Sequence, residues 1–297
     1  MLPDALFWKV HMYGIMVALG VLAAFGVLYL YGKKMKIDLA FTDFLFYDGI
    51  VSVFLGFGFA AVFQGLYNYI ENPADGFSLK GGITFLGGML GGAAVFIGAY
   101  FLFRRRLKGR LVSTAYGFPA LSVLPCCVLI GHSLGRVGCF FAGCCYGKQT
   151  DSWLGVKFPN LSEPVYPTQL YEAAFLLILF AVCSYLLLKK NFRHNMTVYL
   201  IGYGIFRFLI EFIRGDDRGK FFGILSPSQF WALGMVMLGV VLYFCMERIW
   251  RREPAPAETD NNPENLTETD HVPESGVPAD TAEESEDTNT EGDTRNA

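Results

Sequence analysis

Residues 168–190 read TQLYEAAFLLILFAVCSYLLLKK. From 168 to 188 the run is almost wholly apolar, and it stops at Lys189-Lys190. A helix needs roughly 20 such residues to cross a hydrocarbon core, and a helix satisfies its backbone N–H and C=O groups within one segment. The stretch therefore predicts a transmembrane helix. Six similar runs lie outward from it. Residues 13–31 stop at Lys33, Lys34 and Lys36, and residues 44–67 end in Asn-Tyr-Ile-Glu-Asn-Pro. Residues 81–103 stop at Arg104-Arg105-Arg106. Residues 112–141 are broken by Pro119 and Pro125, which predicts one long kinked helix or a re-entrant piece before a span. Residues 196–213 and 228–246 complete the set, the last stopping at Arg248, Arg251 and Arg252. The expected fold class is all-α, a polytopic membrane protein with about seven transmembrane helices.

Composition agrees. Hydrophobic residues make up 53% of the 297 and charged residues 17%, against about 25% charged in soluble domains. The charges are also segregated. Residues 253–297 hold 14 acids and one base, whereas residues 1–252 hold 23 bases and 13 acids. The expected organisation is a seven-span domain over 1–252 and an acidic tail over 253–297. With no aromatic residue and almost nothing large and apolar, the tail is read as disordered, with an acidic interaction arm as the alternative. The first apolar run is long enough to span and lacks a cleavage pattern, so no cleavable signal peptide is expected. Nucleic acid is not among the expected partners.

Basic residues predict the orientation. Lys33, Lys34, Lys36, Arg104, Arg105, Arg106, Lys108, Arg110, Lys189, Lys190, Arg193, Arg248, Arg251 and Arg252 follow alternate spans. The opposite loops hold only Lys9, Lys80, Lys148, Lys157, Arg214, Arg218 and Lys220. The N-terminus is expected outside and the C-terminus inside. Residues 1–12, 68–80, 142–167 and 214–227 then face outward.

Three charges fall within the spans: Arg136, Arg207 and Glu211. A charge at mid-helix in a bilayer costs at least about 2.5 kcal/mol and needs a partner or a polar cavity. Arg207, Glu211 and Arg214 follow i, i+4, i+7 spacing and share one face. They form either an ion pair that fastens helices or a cationic pocket with Glu211 holding the guanidinium forks. The second reading is preferred, because surplus positive charge in a bilayer invites an anion. A phospholipid phosphate suits bidentate guanidinium donors. His132 lies one turn before Arg136 and is either a polar core residue or a general base.

Seven cysteines are present. Cys126, Cys127, Cys183 and Cys245 read as small buried hydrophobes. Cys139, Cys144 and Cys145 lie in Cys-Phe-Phe-Ala-Gly-Cys-Cys-Tyr-Gly and allow small-residue packing, a disulfide or a reactive thiol. No CxxC pair or paired histidines accompany them, so no metal is expected. No internal repeat pairs two broken spans, which argues against a transporter.

At these residues the chain resembles the prolipoprotein diacylglyceryl transferase family of bacterial membranes, over about residues 8–246. Six segments in order carry the likeness: Met12-Tyr13-Gly14, Phe85-Leu86-Gly87-Gly88, Gly135-Arg136-Val137-Gly138-Cys139-Phe140, Tyr166-Pro167-Thr168-Gln169-Leu170-Tyr171-Glu172, Tyr203-Gly204-Ile205-Phe206-Arg207 through Glu211 and Arg214, and Ser226-Pro227-Ser228-Gln229. The resemblance implies transfer of a diacylglyceryl group from phosphatidylglycerol to the lipobox cysteine thiol of a prolipoprotein signal peptide. The place would be the outer face of the bacterial plasma membrane. It implies Tyr13 as an active-site tyrosine, Arg136 and Arg207 as grips on the phosphate, and no metal or cofactor. Tyr13, Arg136, Arg207 and Glu211 are the first candidates for catalysis. His132, Gln169 and Arg214 come second, with Cys139, Cys144 and Cys145 as a separate thiol site.

The chain departs from the family pattern at several positions. Leu86 stands for the glycine-flanked histidine, Cys139 for the signature asparagine and Cys144 for the acid that follows it. Tyr166 stands for a histidine, and Phe59-Ala60-Ala61 lies where an arginine is expected. The phosphate end is kept and the proton-handling end is altered, and His132 is a candidate to replace the missing histidine. The alternatives are a divergent paralogue with another acceptor, a non-catalytic phospholipid-binding protein, or a thiol or metal site on the three cysteines.

Overall fold

The structure, a computed structural model, describes residues 11–79, 82, 84–106, 114–215 and 225–250. Expectations for residues 253–297, and for Lys9, Lys80, Lys108, Arg110, Arg218, Lys220, Arg251 and Arg252, lie outside the described residues.

Among the described residues, seven α-helices follow in chain order: α1 (Met12–Lys34), α2 (Leu39–Glu71), α3 (Phe85–Arg106), α4 (Thr114–Phe141), α5 (Thr168–Lys190), α6 (Asn195–Ile210) and α7 (Pro227–Trp250). Six of them contain stretches long and apolar enough to cross a membrane, and α3 offers a shorter apolar stretch, Gly87–Phe103. The chain is a multi-pass helical membrane protein. The 114–141 segment is one helix through both prolines, with its spanning part at Leu121–Phe141. Asp38 begins α2 by accepting from the Ala40 N–H. Asn191, in the left-handed region at φ 49°, ends α5.

The outer surface carries the signature of a lipid-facing bundle. Leu22, Phe54, Met237 and Phe244 are 66, 76, 69 and 66% exposed, an apolar coat that water would penalise. Cys245, expected to be buried, lies on this exposed surface, whereas Cys126, Cys127 and Cys183 are buried.

Inside the bundle, α1 packs on α4, α2 on α3, α4 on α5 and α6 on α7. Small residues permit the closest approaches. A Cβ on Gly20 of α1 would stand 2.9 Å from the Gly131 carbonyl oxygen of α4. With no difference in apolarity between tails and side chains, such backbone contact and buried polar bonds hold membrane helices together. Asn195 supplies two of those bonds. Its side-chain nitrogen donates to the carbonyls of Ser122 at 3.1 Å and Cys183 at 3.0 Å, tying α6 to α4 and α5.

At the other end of these helices, α4 and α6 finish while α5 and α7 begin. The loop after α4 is fastened there by backbone bonds. Gly147 N–H donates to Tyr166 at 2.8 Å and Lys148 N–H to Ile213 at 2.9 Å. Phe158, 1% exposed, plugs the loop against Phe140 and Tyr146.

Candidate active site

His132 and Arg136 lie one turn apart on α4, so both face α5 and α6. Arg136 Nε donates to His132 Nε2 at 3.3 Å, and its Nη2 stands 3.1 Å from Glu172 Oε1 on α5. Tyr203 of α6 donates its hydroxyl to the same carboxylate oxygen at 2.6 Å. The imidazole edge also packs on the Tyr203 ring, with centroids 5.2 Å apart. Because Nε2 accepts from a guanidinium, its lone pair is committed and the ring N–H belongs on Nδ1. His132 thus orients Arg136, and the same nitrogen lies 3.8 Å from Glu172 Oε1.

A second cluster is built where α6 tightens into a 3-10 turn at Glu211–Ile213. Arg207 Nη1 lies 2.7 Å from Glu211 Oε2, and its Nη2 donates to Ser228 Oγ at 2.8 Å. Arg214 Nε approaches the same Glu211 oxygen at 3.6 Å. Ser226 donates to the other, Oε1, at 2.9 Å. Ser226 is itself held by a reciprocal cap: its hydroxyl accepts from the Gln229 N–H, and its own N–H donates to the Gln229 side chain. The serines that begin α7 therefore fix both the carboxylate and one guanidinium of α6.

The two clusters adjoin along α6, where Tyr203 and Arg207 lie one turn apart. Glu172, 1% exposed, lies within electrostatic reach of Arg136, His132 and Arg207. Tyr203 likewise feels both arginines. Spacing alone counted Arg136, Arg207 and Arg214 against Glu211, a surplus of two positive charges. Glu172 joins them, so the ion-paired cluster holds three guanidiniums and two carboxylates, a surplus of one.

The cysteines form a third group on the turn that ends α4. Gly143 and Cys145 both take left-handed backbone, at φ 67° and 65°. That turn folds the chain back, so that Cys144 N–H donates to the Cys139 carbonyl at 3.2 Å. The three Sγ atoms lie within 4.8 Å of one another, and all three cysteines are free. The Cys144 thiol donates to the Cys139 carbonyl at 3.6 Å. The neighbouring Cys139 and Cys144 thiols, with the Arg214 and Arg136 charges acting in the same sense, draw the Cys145 thiol below the usual thiol range.

Tyr13, 43% exposed, sits in the first turn of α1 over Gly138. A Cβ on that glycine would come 3.2 Å from Tyr13 Cδ2. The tyrosine lies within electrostatic reach of Cys139, Cys144, Cys145 and Arg136. Gln169 is buried beneath the turn and donates to the Cys144 carbonyl, while Thr168 donates to the Cys145 carbonyl at 2.9 Å. The other amide atom of Gln169, Oε1, is buried with no hydrogen-bond partner among the described residues.

Four residues of this arrangement, Glu172, Tyr203, Ser226 and Ser228, lie in quoted motifs but carried no role from spacing. Glu172 had a readable signal, an acid five residues into an apolar run. A second acid of the same kind, Asp48 of α2, is also buried and accepts from Ser52 at 3.4 Å.

Fold and site together define a class: a polytopic helical membrane protein with a paired, net-cationic cluster inside the bundle. A family model described as prolipoprotein diacylglyceryl transferase matches residues 4–245, and the chain belongs to that family of transferases. It is 32% identical over 241 residues to a phosphatidylglycerol–prolipoprotein diacylglyceryl transferase of Clostridium tetani, covering 79% of this chain and 92% of that protein. It is 31% identical over 248 residues to an enzyme of Clostridium perfringens named as the second of that type, with 79% and 90% covered. The corresponding protein of Hydrogenovibrio crunogenus is 34% identical over 251 residues, with 79% and 89% covered.

Proposed function

We propose that this chain transfers a diacylglyceryl group from phosphatidylglycerol to the thiol of a prolipoprotein lipobox cysteine, at the outer face of the bacterial plasma membrane. The observation that carries this reading is the pair of guanidiniums held ready inside the bundle, Arg136 on Glu172 at 3.1 Å and Arg207 on Glu211 at 2.7 Å, with Tyr203, the Glu172 partner, one turn before Arg207 on α6. The names of its relatives supply the substrates.

The chemistry asks for what the cluster offers. The acceptor sulfur attacks the glyceryl carbon that bears the phosphate ester. A C–S bond forms, the C–O bond breaks, and glycerol phosphate leaves with the bonding electron pair. Arg136 and Arg207 spread that departing charge, and because the carboxylates already orient both guanidiniums, little reorganisation is needed at the moment of reaction. Glu172 with His132 positions Arg136, and Glu211 with Ser228 positions Arg207. Arg214 completes the cationic side, and Tyr13 faces the thiol end.

The basic segments favour an outward N-terminus, which puts the cluster end of the bundle outside and residues 253–297 on the cytoplasmic side.

A second reading is a phospholipid-binding protein without turnover. It is favoured by the internal pairing of every guanidinium in the cluster, as in a purely structural ion-pair network. Complementation of a strain depleted of its own transferase separates the two. Lipidation of a reporter lipoprotein is expected; a well-expressed chain that leaves the reporter unlipidated supports the second reading.

A further inference from the structure

We propose that Cys139, Cys144 and Cys145 bind one zinc ion and leave its fourth position open to the acceptor thiol. The proposal deepens the transferase reading and rests on it for the identity of that thiol.

Three thiols from one turn meet at one point. Their Sγ atoms lie within 4.8 Å of one another. Three sulfurs around a zinc ion at about 2.3 Å stand roughly 3.8 Å apart, so small side-chain rotations close the set. The backbone is arranged for this meeting. Cys145 is a non-glycine residue held at φ 65°, a conformation that side chains disfavour. Thr168 and Gln169, each 1% exposed, grip the carbonyls of the two adjacent cysteines from α5. Such buried support orients a ligand set from behind. Charge fits as well. Three thiolates and a divalent ion sum to one negative charge, Arg136 lies one turn before Cys139 on α4, and Arg214 pairs with Gly147, two residues after Cys145. A disulfide uses two of these sulfurs and gives no reason for the third.

Three protein ligands on zinc leave one tetrahedral position open, and a thiol that takes it is deprotonated outright. In the described cluster, His132 Nε2 accepts from Arg136, and Glu172 and Glu211 are each bound to a guanidinium. In the proposed step the acceptor thiol coordinates zinc and loses its proton to water. Its sulfur then attacks the glyceryl carbon, and glycerol phosphate leaves with the C–O electron pair. No electron is gained or lost by the metal. Tyr13 packs on Gly138, between Arg136 and Cys139 on α4, which places the thiol site beside the phosphate site.

The test uses the purified full-length protein in detergent. Near one zinc per chain is expected after zinc loading, and Cys144→Ser, at an exposed position, should lower that occupancy at least several-fold. With cobalt in place of zinc, a near-ultraviolet sulfur-to-metal band is expected. That band should change when a lipobox peptide with a free cysteine is added, and should not change with the serine form of the peptide. Wild-type protein that takes up no zinc above background, or a cobalt band blind to the cysteine peptide, overturns the proposal. So does undiminished diacylglyceryl transfer by metal-stripped protein, an outcome that leaves the transferase reading intact. A thiol-sensitive cobalt band in a protein that transfers nothing supports the site and removes the transferase reading instead.

Discussion

The hydroxyl of Tyr203 lies 2.6 Å from Glu172 Oε1, and that same oxygen takes Arg136 at 3.1 Å. One carboxylate on α5 therefore couples a guanidinium on α4 to a phenol on α6. A hydrogen bond to a charged group contributes about 1.5–3 kcal/mol. Tyr203→Phe is expected to lower kcat/KM for diacylglyceryl transfer by about 10- to 100-fold. Glu172→Gln, which takes the charge away from Arg136, should cost more. Steady-state kinetics on purified variants check the order; equal rates for wild type and Tyr203→Phe refute the coupling.

Arg207 reaches Glu211 with one terminal nitrogen and Ser228 with the other. Lysine has a single charged nitrogen on a flexible stem and cannot reproduce that fork. Arg207→Lys should retain the fold and lose transfer by about tenfold or more. Ser228→Ala, which removes a neutral partner, should lose less. Rates measured beside thermal melting in detergent distinguish lost chemistry from lost protein.

Much of the fold was legible in advance because bilayer thickness imposes a length on each helix. The apolar run 168–188 lies within the helix Thr168–Lys190, and the lysine and arginine clusters mark several helix ends. The proline-broken 112–141 run was left open between two forms, and tertiary packing against α1 and α5 selects a single helix. Candidate site residues are legible only where charge stands inside a recognisable span, as at Arg136, Arg207 and Glu211. Glu172 escaped because it sits near the start of its span, where an acid passes for a loop residue. Ser226 and Ser228 are ordinary in sequence, and only the packing of α7 on α6 gives their hydroxyls partners. The convergence of the cysteines was hidden because it depends on left-handed backbone at Gly143 and Cys145, which no ligand spacing encodes.

Gly147 holds the loop to the cluster. A Cβ there would come 2.6 Å from the Ile213 carbonyl, 2.8 Å from Thr168 Cγ2 and 2.9 Å from Tyr166 Cβ. Overpacking of this kind typically costs about 1–3 kcal/mol. The strain falls on the loop and not on the helices. Gly147→Ala should depress transfer at least about tenfold while helical content by circular dichroism stays at the wild-type level.

Asn195 tests the scaffold at the opposite end. Replacing it by Ala removes two buried side-chain bonds, to Ser122 and Cys183. At the magnitudes found between membrane helices, the loss should be about 1–3 kcal/mol in total. The expected result is a lower melting temperature in detergent, with kcat/KM of the remaining folded protein unchanged. A drop in kcat/KM at full stability would place Asn195 in the chemistry and contradict this division of labour.

The most direct measurement follows both products at once. Purified protein in nanodiscs of headgroup-labelled phosphatidylglycerol is given a reporter prolipoprotein, and released glycerol phosphate is counted against thioether formed. Wild-type protein should yield the two in equal amounts, and Arg136→Gln and Arg207→Gln should each slow both at least about 100-fold. Folded wild-type protein that releases no glycerol phosphate, or either variant working at the wild-type rate, would contradict the account.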